Sequence, residues 1–358
     1  MKRLSLSVLT ILLALPLALP LALPLADAQA GPLRDRIRER VQERQASGGS
    51  EETDRADRAD LADMGGSAQS CAEWSQKVNR LQKRANGRNA GPAPSLADLS
   101  YGSESLQKLD VFLPQKAGNG GMAPIILMVH GGGWCVGDKA GAQMTANKVA
   151  RWVPKGFIFV SVNYPMVSEG ANALAQAGHI ARAAAFVQAK AREWGGDPAR
   201  LVLMGHSAGA HLVSLVNADS QLRQAHGMQP ALGTVSLDAG AVDVVRQMPK
   251  VYPFLKERYR EAFGNTETEW IAASPFHRLD PQAAPWLGVC STTRKDDPCG
   301  QARAYADKSN GLGVKASVLP QRKGHGAINA ELGLPGEYTH GVEAFMASLD
   351  PVVAGLLR

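Results

Sequence analysis

Short apolar runs alternate with helix-like stretches along most of this chain, and this alternation limits the possible folds more than any other feature of the sequence. The predicted strands span 108–113, 125–130, 157–163, 201–205, 234–238, 286–291 and 314–319. The predicted helices span 71–84, 139–153, 173–194, 207–218, 299–310 and 337–349. This pattern predicts an α/β fold, with a mostly parallel sheet and helices on both faces. Ligands of such sheets bind at the carboxyl ends of the strands.

One segment, 242–278, interrupts the alternation because it is rich in aromatic and charged residues and contains no clean strand. It lies between two predicted strands, where an insertion would cover their carboxyl ends. Two interpretations stay open: a small cap that faces the substrate, or a helical excursion packed on the domain.

The first 30 residues have the features of a secretory signal peptide. Lys2 and Arg3 precede a run of mainly Leu and Ala that ends in the small-residue pattern Ala28-Gln29-Ala30. The alternative is a membrane anchor, because the run is nearly long enough to cross a bilayer. Prolines at every fourth position of the run would disrupt such a helix. We expect cleavage of 1–30, a periplasmic or secreted protein, and no stable membrane span afterwards.

Residues 31–70 form a charged segment without aromatic residues. Such a composition buries too little apolar surface to offset the entropy of ordering, so it predicts a flexible linker. The alternative is a basic surface-docking helix at 33–44. The hydrolase domain described below is predicted to span 71–358.

Charge and cysteine content exclude some classes of function. The net charge of +6 over 358 residues is mild and no nucleic-acid-binding motif is present, so we expect no nucleic-acid partner. The four cysteines form no C-x-x-C pair, so neither a zinc site nor a redox site is predicted.

An exported chain can form disulfides. Cys135 and Cys299 follow predicted strands at the same sheet edge, so we expect a bridge between them, with Cys290 buried and free. Four free thiols, or a pairing that includes Cys71, are the alternatives.

The stretch LVLMGHSAGAHL at 201–212 places Ser207 between two glycines, where a buried strand becomes a helix. A sharp corner of this kind leaves no room for side chains two positions to either side, which accounts for Gly205 and Gly209. The N-terminus of the helix directs N–H groups toward an anion formed there. Ser207 is therefore the candidate nucleophile.

A second glycine motif, HGGGW, occupies 130–134. Residues without side chains allow backbone N–H groups to face a ligand. Together with the N–H of Ala208, Gly131 and Gly132 would form an oxyanion hole. A loop made only for flexibility is the alternative, and a dinucleotide loop is excluded because G-x-G-x-x-G is absent.

A serine needs a base at neutral pH, and His325 is the candidate among eight histidines. It lies beyond the last predicted strand, in a loop KGHGA whose glycines leave the imidazole room to reach Ser207. His130 and His206 belong to the two glycine motifs and are expected to brace their loops by hydrogen bonds. The alternative for His325 is a solvated loop residue.

The base must be oriented by a carboxylate. The loop CSTTRKDDPC, after strand 286–291, supplies Asp296 and Asp297 at the strand end. Either could reach His325. Asp297, which precedes a proline, is the preferred acid, and Asp296 is the alternative.

The stretches YGSESLQKLDVFLP, HGGGW, VNYPMV, WGGDPARLVLMGHSAGAHL and KGHG together resemble those of α/β-hydrolases. Over about 99–349, the chain is similar to hormone-sensitive-lipase-like esterases and to the ferulic-esterase-like and kynurenine-formamidase-like branches. The resemblance implies an eight-stranded, mostly parallel sheet, with Ser207 as nucleophile, His325 as base and the Gly131–Gly132 loop as oxyanion hole. The chain departs from the family at the acid, because RKDDPC is more crowded than the usual loop.

The predicted function is hydrolysis of carboxylic esters, small or polymeric, through an acyl-enzyme and without a metal or organic cofactor. Two alternatives stay open: an amidase or arylformamidase with the same triad, and a catalytically silent binding protein of the same fold. Acyl specificity and oligomeric state are not predicted.

Overall fold

A computed structural model of the chain describes residues 70–84, 91–115 and 121–358. The predicted signal peptide at 1–30 and nearly all of the predicted linker at 31–70 lie outside the described residues. In the part of the chain that is described, no helix combines the length and the apolar character needed to cross a membrane.

Eight strands form one sheet in the described structure. In chain order they are β1 (Leu96–Ser100), β2 (Lys108–Phe112), β3 (Ala123–Val129), β4 (Ile158–Val162), β5 (Gly196–His206), β6 (Gly233–Leu237), β7 (Trp286–Ser291) and β8 (Ala316–Gln321). Their order across the sheet is β1-β2-β4-β3-β5-β6-β7-β8. β2 pairs antiparallel with β1 and β4, and the remaining pairs are parallel. The predicted fold class, α/β with a mostly parallel sheet, is thus confirmed.

Helices follow the strands along the chain. They are α1 (Cys71–Arg84), α2 (Ala142–Trp152), α3 (Ala173–Lys190), α4 (Ala208–Ala218), α5 (Ser220–Ala225), α6 (Val244–Gln247), α7 (Lys256–Phe263), α8 (Glu267–Ala272), α9 (Pro275–Arg278), α10 (Pro298–Gly311), α11 (His325–Ala330), α12 (Glu337–Ala347) and α13 (Pro351–Leu357). Short 3₁₀ turns continue α3 and separate α6 from α7.

The central strands separate two apolar layers, one on each face of the sheet. In β3, Ile125, Leu127 and Val129 belong to one layer, whereas Ile126 and Met128 belong to the other. Every residue of β3 is buried. A continuous apolar run is typical of a parallel strand covered on both faces, since side chains alternate between the two layers.

Several details differ from the sequence-based expectation, among them the start of β5, at Gly196 instead of at residue 201. β1 was not predicted, because LADLS is a short, partly polar edge strand whose burial does not alternate cleanly. β8 begins two residues later than the predicted strand 314–319. His325 is the first residue of the short helix α11 instead of a loop residue.

The segment 242–278 forms the four short helices α6 to α9. Its buried side chains, among them Val244, Tyr259 and Phe263, join the apolar layer that also includes α4. Tyr252 and Phe254 remain partly exposed, with their ring centroids 5.6 Å apart. The segment is therefore packed firmly on the domain, with an aromatic pair on its surface.

Candidate active site

Ser207 stands at a strained corner between β5 and α4. Its backbone has φ 55° and ψ −116°, a conformation that costs a non-glycine residue on the order of 1–3 kcal/mol. A Cβ at Gly205 would lie 2.3 Å from the carbonyl oxygen of Gly209, and one at Gly209 would lie 2.2 Å from that of Val129. Both glycines are required by these close backbone contacts.

Backbone hydrogen bonds connect Ser207 to the end of β6. Its N–H donates to the carbonyl of Leu237 at 3.0 Å, and its carbonyl accepts the N–H of Gly240 at 3.1 Å. Asp238 and Ala239 lie between these two contacts in the chain, and the corner is therefore held against the end of β6.

The glycine loop lies directly against the serine. A Cβ at Gly131 would be 2.9 Å from the Cβ of Ser207, and one at Gly132 (φ +123°) would overlap the carbonyl of Val136. The carbonyl of Gly132 accepts the N–H of both Cys135 and Val136 at 3.1 Å, which closes the loop into a tight turn. The structure thus brings Gly131 to Ser207, and Ala208 follows the serine as the first residue of α4.

His130 braces the glycine loop. Its Nδ1 donates to the carbonyl of Gly131 at 2.8 Å, and its ring stacks on Tyr164 with a centroid separation of 4.5 Å. The hydroxyl of Tyr164 donates in turn to the carbonyl of His130 at 2.9 Å. Burial lowers the pKa of His130, so the ring is neutral at neutral pH.

The carboxylate that meets His325 belongs to Asp238. Nδ1 of His325 donates a hydrogen bond to Oδ2 of Asp238, and the two atoms are 2.5 Å apart. Asp238 directly follows β6, is fully buried, and also accepts the N–H of Ser291 on Oδ1 at 2.8 Å. Burial alone would raise the pKa of Asp238, but the charge of Arg294 and the hydrogen bond from His325 outweigh it and hold this pKa well below its usual range. Asp238 is therefore ionised at neutral pH.

The expectation that Asp297 orients His325 is corrected by this geometry. Asp297 caps α10, where its Oδ1 accepts the N–H of Gly300 at 3.0 Å. Its Oδ2 pairs with Arg246 at 2.8 Å, and its side chain is 41% exposed. The residue is engaged in starting a helix, since Asp is among the preferred N-cap residues.

Asp296, the alternative acid, has other partners as well. Its Oδ1 accepts Nε of Arg294 at 3.0 Å, and its Oδ2 accepts Nε2 of Gln247 at 3.1 Å. Arg294 lies between Asp296 and Asp238 and forms an ion pair with each. The loop after β7 therefore contacts Asp238 through the guanidinium group of Arg294.

One sequence signal pointed toward Asp238. It is the last residue of the predicted strand 234–238 and the only charged residue in it. β6 pairs with β5, which carries Ser207 at its own end, so Asp238 is the strand-end carboxylate beside the serine. This signal was not sufficient, because the sequence does not reveal which strands are neighbours in the sheet. The loop after β7 also contains two aspartates, which were the more obvious candidates for the acid.

His206 links the serine corner to the base. Its Nε2 donates to the backbone carbonyl of His325 at 3.0 Å, and the two ring centroids are 4.6 Å apart. Burial, followed by the neighbouring His325, lowers the pKa of His206 well below its usual value. A neutral imidazole with a proton on Nε2 therefore holds the backbone at the start of α11.

Lys148 supports α11 from α2. Its Nζ donates to the backbone oxygen of Asn329 at 2.6 Å and to Oδ1 of the same residue at 3.0 Å. Burial lowers the pKa of Lys148 to about 7. The amine thus connects α2 to α11, whose first residue is His325.

The disulfides differ from the expected bridge between Cys135 and Cys299. Cys71 pairs with Cys135, and Cys290 pairs with Cys299, so Cys290 is not free. The first bridge ties the end of the glycine loop to α1, and the second closes the loop after β7. A position at the same sheet edge did not decide the pairing. Cys135 meets Cys71 on α1, and Cys299 on α10 meets Cys290 on β7.

Among the described residues, one group could offer three ligand atoms to a metal ion: Cys71, Cys135 and Glu261. The two sulfurs are bonded to one another, and the carboxylate accepts the N–H of Cys71 at 2.7 Å. These atoms thus have covalent and hydrogen-bonded partners within the protein.

Known proteins similar to this chain are esterases and a formamidase. A family model described as BD-FAE matches residues 109–280. Esterase LipQ of Mycobacterium tuberculosis (strain ATCC 25618 / H37Rv) is 28% identical over 224 residues, which cover 60% of this chain and 52% of LipQ. Isoprenylcysteine alpha-carbonyl methylesterase ICME of Arabidopsis thaliana is 28% identical over 237 residues, 62% of this chain and 54% of ICME. The chain therefore spans about half the length of these two relatives.

Kynurenine formamidase of Salmo salar is 27% identical over 222 residues, which cover 60% of this chain and 69% of that protein. Among solved structures, a truncated form of a carbohydrate esterase from gut microbiota matches with a TM-score of 0.59 and 20% identity. The match covers 73% of this chain and 99% of that structure. These similarities show that the chain has the α/β-hydrolase fold.

Proposed function

We propose that this α/β-hydrolase-fold protein cleaves carboxylic esters with Ser207 as nucleophile, His325 as base and Asp238 as the orienting acid. The observation that carries the proposal is the contact between His325 and the buried Asp238, which lies beside the strained serine corner. A strained nucleophile between two required glycines, a backbone loop against it and a carboxylate-bound imidazole form the arrangement that serine hydrolases use.

In the proposed reaction, Oγ of Ser207 attacks the ester carbonyl while Nε2 of His325 accepts the hydroxyl proton. Asp238 keeps the proton of His325 on Nδ1, so that Nε2 is the basic nitrogen. Negative charge develops on the carbonyl oxygen, where the N–H groups of Gly131, Gly132 and Ala208 stabilise it. The protonated imidazole gives its proton to the departing alcohol, and an acyl-enzyme remains. Water, deprotonated by His325, then releases the acid and restores the serine.

An amide substrate is the second candidate, favoured by the match to a formamidase. The same nucleophile, base and backbone donors would serve, with an amine as the leaving group. Parallel measurements on p-nitrophenyl esters and N-formyl anilides distinguish the two, since the higher kcat/KM identifies the preferred bond. A silent binding protein would turn over neither class.

We also propose that the protein acts outside the cytoplasm, in the periplasm or as a secreted enzyme. Two observations support this: the N-terminal signal-like sequence, and two disulfides that account for all four cysteines. Structural disulfides persist mainly in oxidising compartments.

Replacing Ser207 by alanine tests the catalytic proposal. We expect the Ser207→Ala variant to lose turnover by a factor on the order of 10⁶, because the nucleophile is removed while a small side chain remains at the corner. A fluorophosphonate probe should label the wild type at Ser207 and leave the variant unlabelled. Near-normal ester hydrolysis by a pure, folded variant would refute the mechanism.

A further inference from the structure

Arg294 lies between two carboxylates and the candidate base. Its Nη1 donates to Oδ2 of Asp238 at 2.9 Å and lies 3.4 Å from Nδ1 of His325. Its Nε and Nη2 hold both oxygens of Asp296. The side chain is only 16% exposed, so this charge is largely withdrawn from solvent.

We propose that Arg294 is a positioning residue, which aligns Asp238 on His325 and, through its charge, sets the acid limit of the activity. The inference rests on the proposed function and concerns the same site. Its basis is that one oxygen of Asp238 is shared by Arg294 and His325.

The shared oxygen explains the positioning role. Oδ2 of Asp238 accepts from both Nδ1 of His325 and Nη1 of Arg294, while Oδ1 accepts the N–H of Ser291. Three donors, two of them on Oδ2, hold the carboxylate in one orientation. Without the guanidinium, Oδ2 would lose one of its two donors, and Asp238 would be held less firmly against the imidazole.

Asp296 holds Arg294 in place and is itself fixed. Oδ2 of Asp296 accepts Nε2 of Gln247 on α6, and Oε1 of Gln247 accepts Nε2 of Gln301 on α10. Oε1 of Gln301 accepts the backbone N–H groups of Val242 and Asp243, at 3.1 Å each. A continuous polar chain therefore runs from the acid into the segment 242–278.

The charge of Arg294 opposes protonation of Asp238, because it lowers the pKa of this carboxyl group against the effect of burial. Its Nη1 also lies 3.4 Å from Nδ1 of His325, so the guanidinium places a positive charge beside both members of the acid–base pair. The charged or titratable groups around this pair come from several elements: Asp238 after β6, Arg294 and Asp296 after β7, His206 on β5, Lys148 on α2, Tyr259 on α7, Glu331 after α11 and Tyr338 on α12. Of these, Arg294 is the cation that contacts both the acid and the base.

The experiment compares the pH dependence of kcat/KM for wild type, Arg294→Met, Arg294→Lys and Arg246→Met, with p-nitrophenyl acetate as substrate. For Arg294→Met we expect the acid limb to move to higher pH by about one unit, a tenfold change in the protonation equilibrium. We also expect kcat at the alkaline plateau to fall, because the acid is less well aligned. Arg294→Lys should have its acid limb at the same pH as the wild type, because the positive charge is kept. Its kcat at the alkaline plateau should be lower, because the guanidinium that aligns Asp238 is lost.

Arg246→Met is the matched control, since it removes a cation that pairs with the half-exposed Asp297 instead of Asp238. Its acid limb should coincide with that of the wild type. An unchanged acid limb in folded Arg294→Met overturns the inference.

A further variant covers the case in which Arg294→Met does not fold. Asp296→Asn leaves the guanidinium without its second counter-charge, so the acid limb should move to lower pH. A shift to higher pH, or none, overturns the inference. The proposed function fails separately: in that case the wild type itself hydrolyses no ester and takes up no fluorophosphonate.

Discussion

The Asp238 carboxylate receives three donors from three parts of the chain: His325 at the start of α11, Arg294 in the loop after β7, and the N–H of Ser291 at the end of β7. A buried carboxylate with such partners has little freedom, and its depressed pKa keeps it charged. Its position gives it control over which nitrogen of His325 carries the proton.

We expect Asp238→Asn to lower kcat by roughly 10⁴, the scale of loss when an orienting carboxylate becomes an amide and the imidazole takes the wrong tautomer. Asp297→Asn is the matched control and should retain most of the activity, because Asp297 caps α10. Steady-state hydrolysis of p-nitrophenyl acetate, with circular dichroism to verify folding, makes the comparison. A larger loss in the Asp297 variant would return the acid role to the loop after β7.

Lys148 predicts a pH dependence of stability. Its pKa is lowered to about 7 in the folded protein by burial, whereas the unfolded chain keeps the ordinary value of 10.5. Between these two values the unfolded state binds a proton that the folded state lacks, so the free energy of unfolding rises with pH. Below pH 7 both states are protonated, and the contribution no longer changes.

Urea denaturation of the wild type and of Lys148→Met at pH 7 and pH 9 tests this expectation. The Lys148 contribution to the free energy of unfolding should rise by about 1–3 kcal/mol over that interval, and the variant should lack this increment. Equal pH slopes in the two proteins would show that the amine stays protonated inside the fold.

At the scale of elements, α1 supports the glycine loop, which carries the proposed oxyanion donors. Cys71 is bonded to Cys135 at the end of the glycine loop, and a Cβ at Gly133 would lie 3.2 Å from the ring of Trp74. The guanidinium of Arg258, on α7, lies 4.0 Å from the centroid of the same ring. α1 thus joins the loop that carries Gly131 and Gly132 to the segment 242–278.

Removing this bridge should weaken catalysis before it unfolds the domain. For the double variant Cys71→Ser/Cys135→Ser we expect kcat to fall about tenfold, less than the 10²–10³ caused by complete loss of one oxyanion donor. KM should change little, because the loosened loop acts on the developing negative charge. Unchanged kcat in the folded variant would show that the loop is rigid without α1.

The double variant Cys290→Ser/Cys299→Ser, which lacks the other disulfide, is the control for the effect of bridge loss on stability. The two bridges join residues 64 and 9 positions apart. By chain entropy their loss should cost about 4 and about 3 kcal/mol respectively, measured by guanidinium denaturation. The reverse ranking would indicate that the shorter loop holds more native structure than its length implies.

At the scale of the whole molecule, the sheet gathers the residues of the proposed site at one edge. Gly131 follows β3, Ser207 follows β5, Asp238 follows β6, Arg294 follows β7 and His325 follows β8. Because these strands are parallel, their carboxyl ends meet on the same side. Five segments far apart in the chain can therefore form one site.

Export is the prediction that belongs to this scale. In a secretion-competent bacterial host, we expect the chain to leave the cytoplasm, to begin after Ala30, and to contain no free thiol. Intact mass and thiol titration of the exported protein check both features. A control variant, Leu13→Arg, interrupts the apolar run and should remain inside the cell. An uncleaved, membrane-bound wild type would instead support the anchor.

The sequence by itself determined the features that depend on neighbouring residues. Apolar runs and helical periodicity predicted seven of the eight strands and the α/β class, because side-chain alternation and helix repeat are local properties. The corner at Ser207 was also predictable, since its two glycines meet backbone atoms within a few residues or on the adjacent strand.

Only the tertiary structure decided which distant groups meet. Asp238, not Asp297 or Asp296, contacts His325, and Cys71, not Cys299, contacts Cys135. These choices depend on the order of strands in the sheet and on where α1 packs. The free energy that selects them comes from burial and pairing across the whole domain, and no short stretch of sequence contains that information.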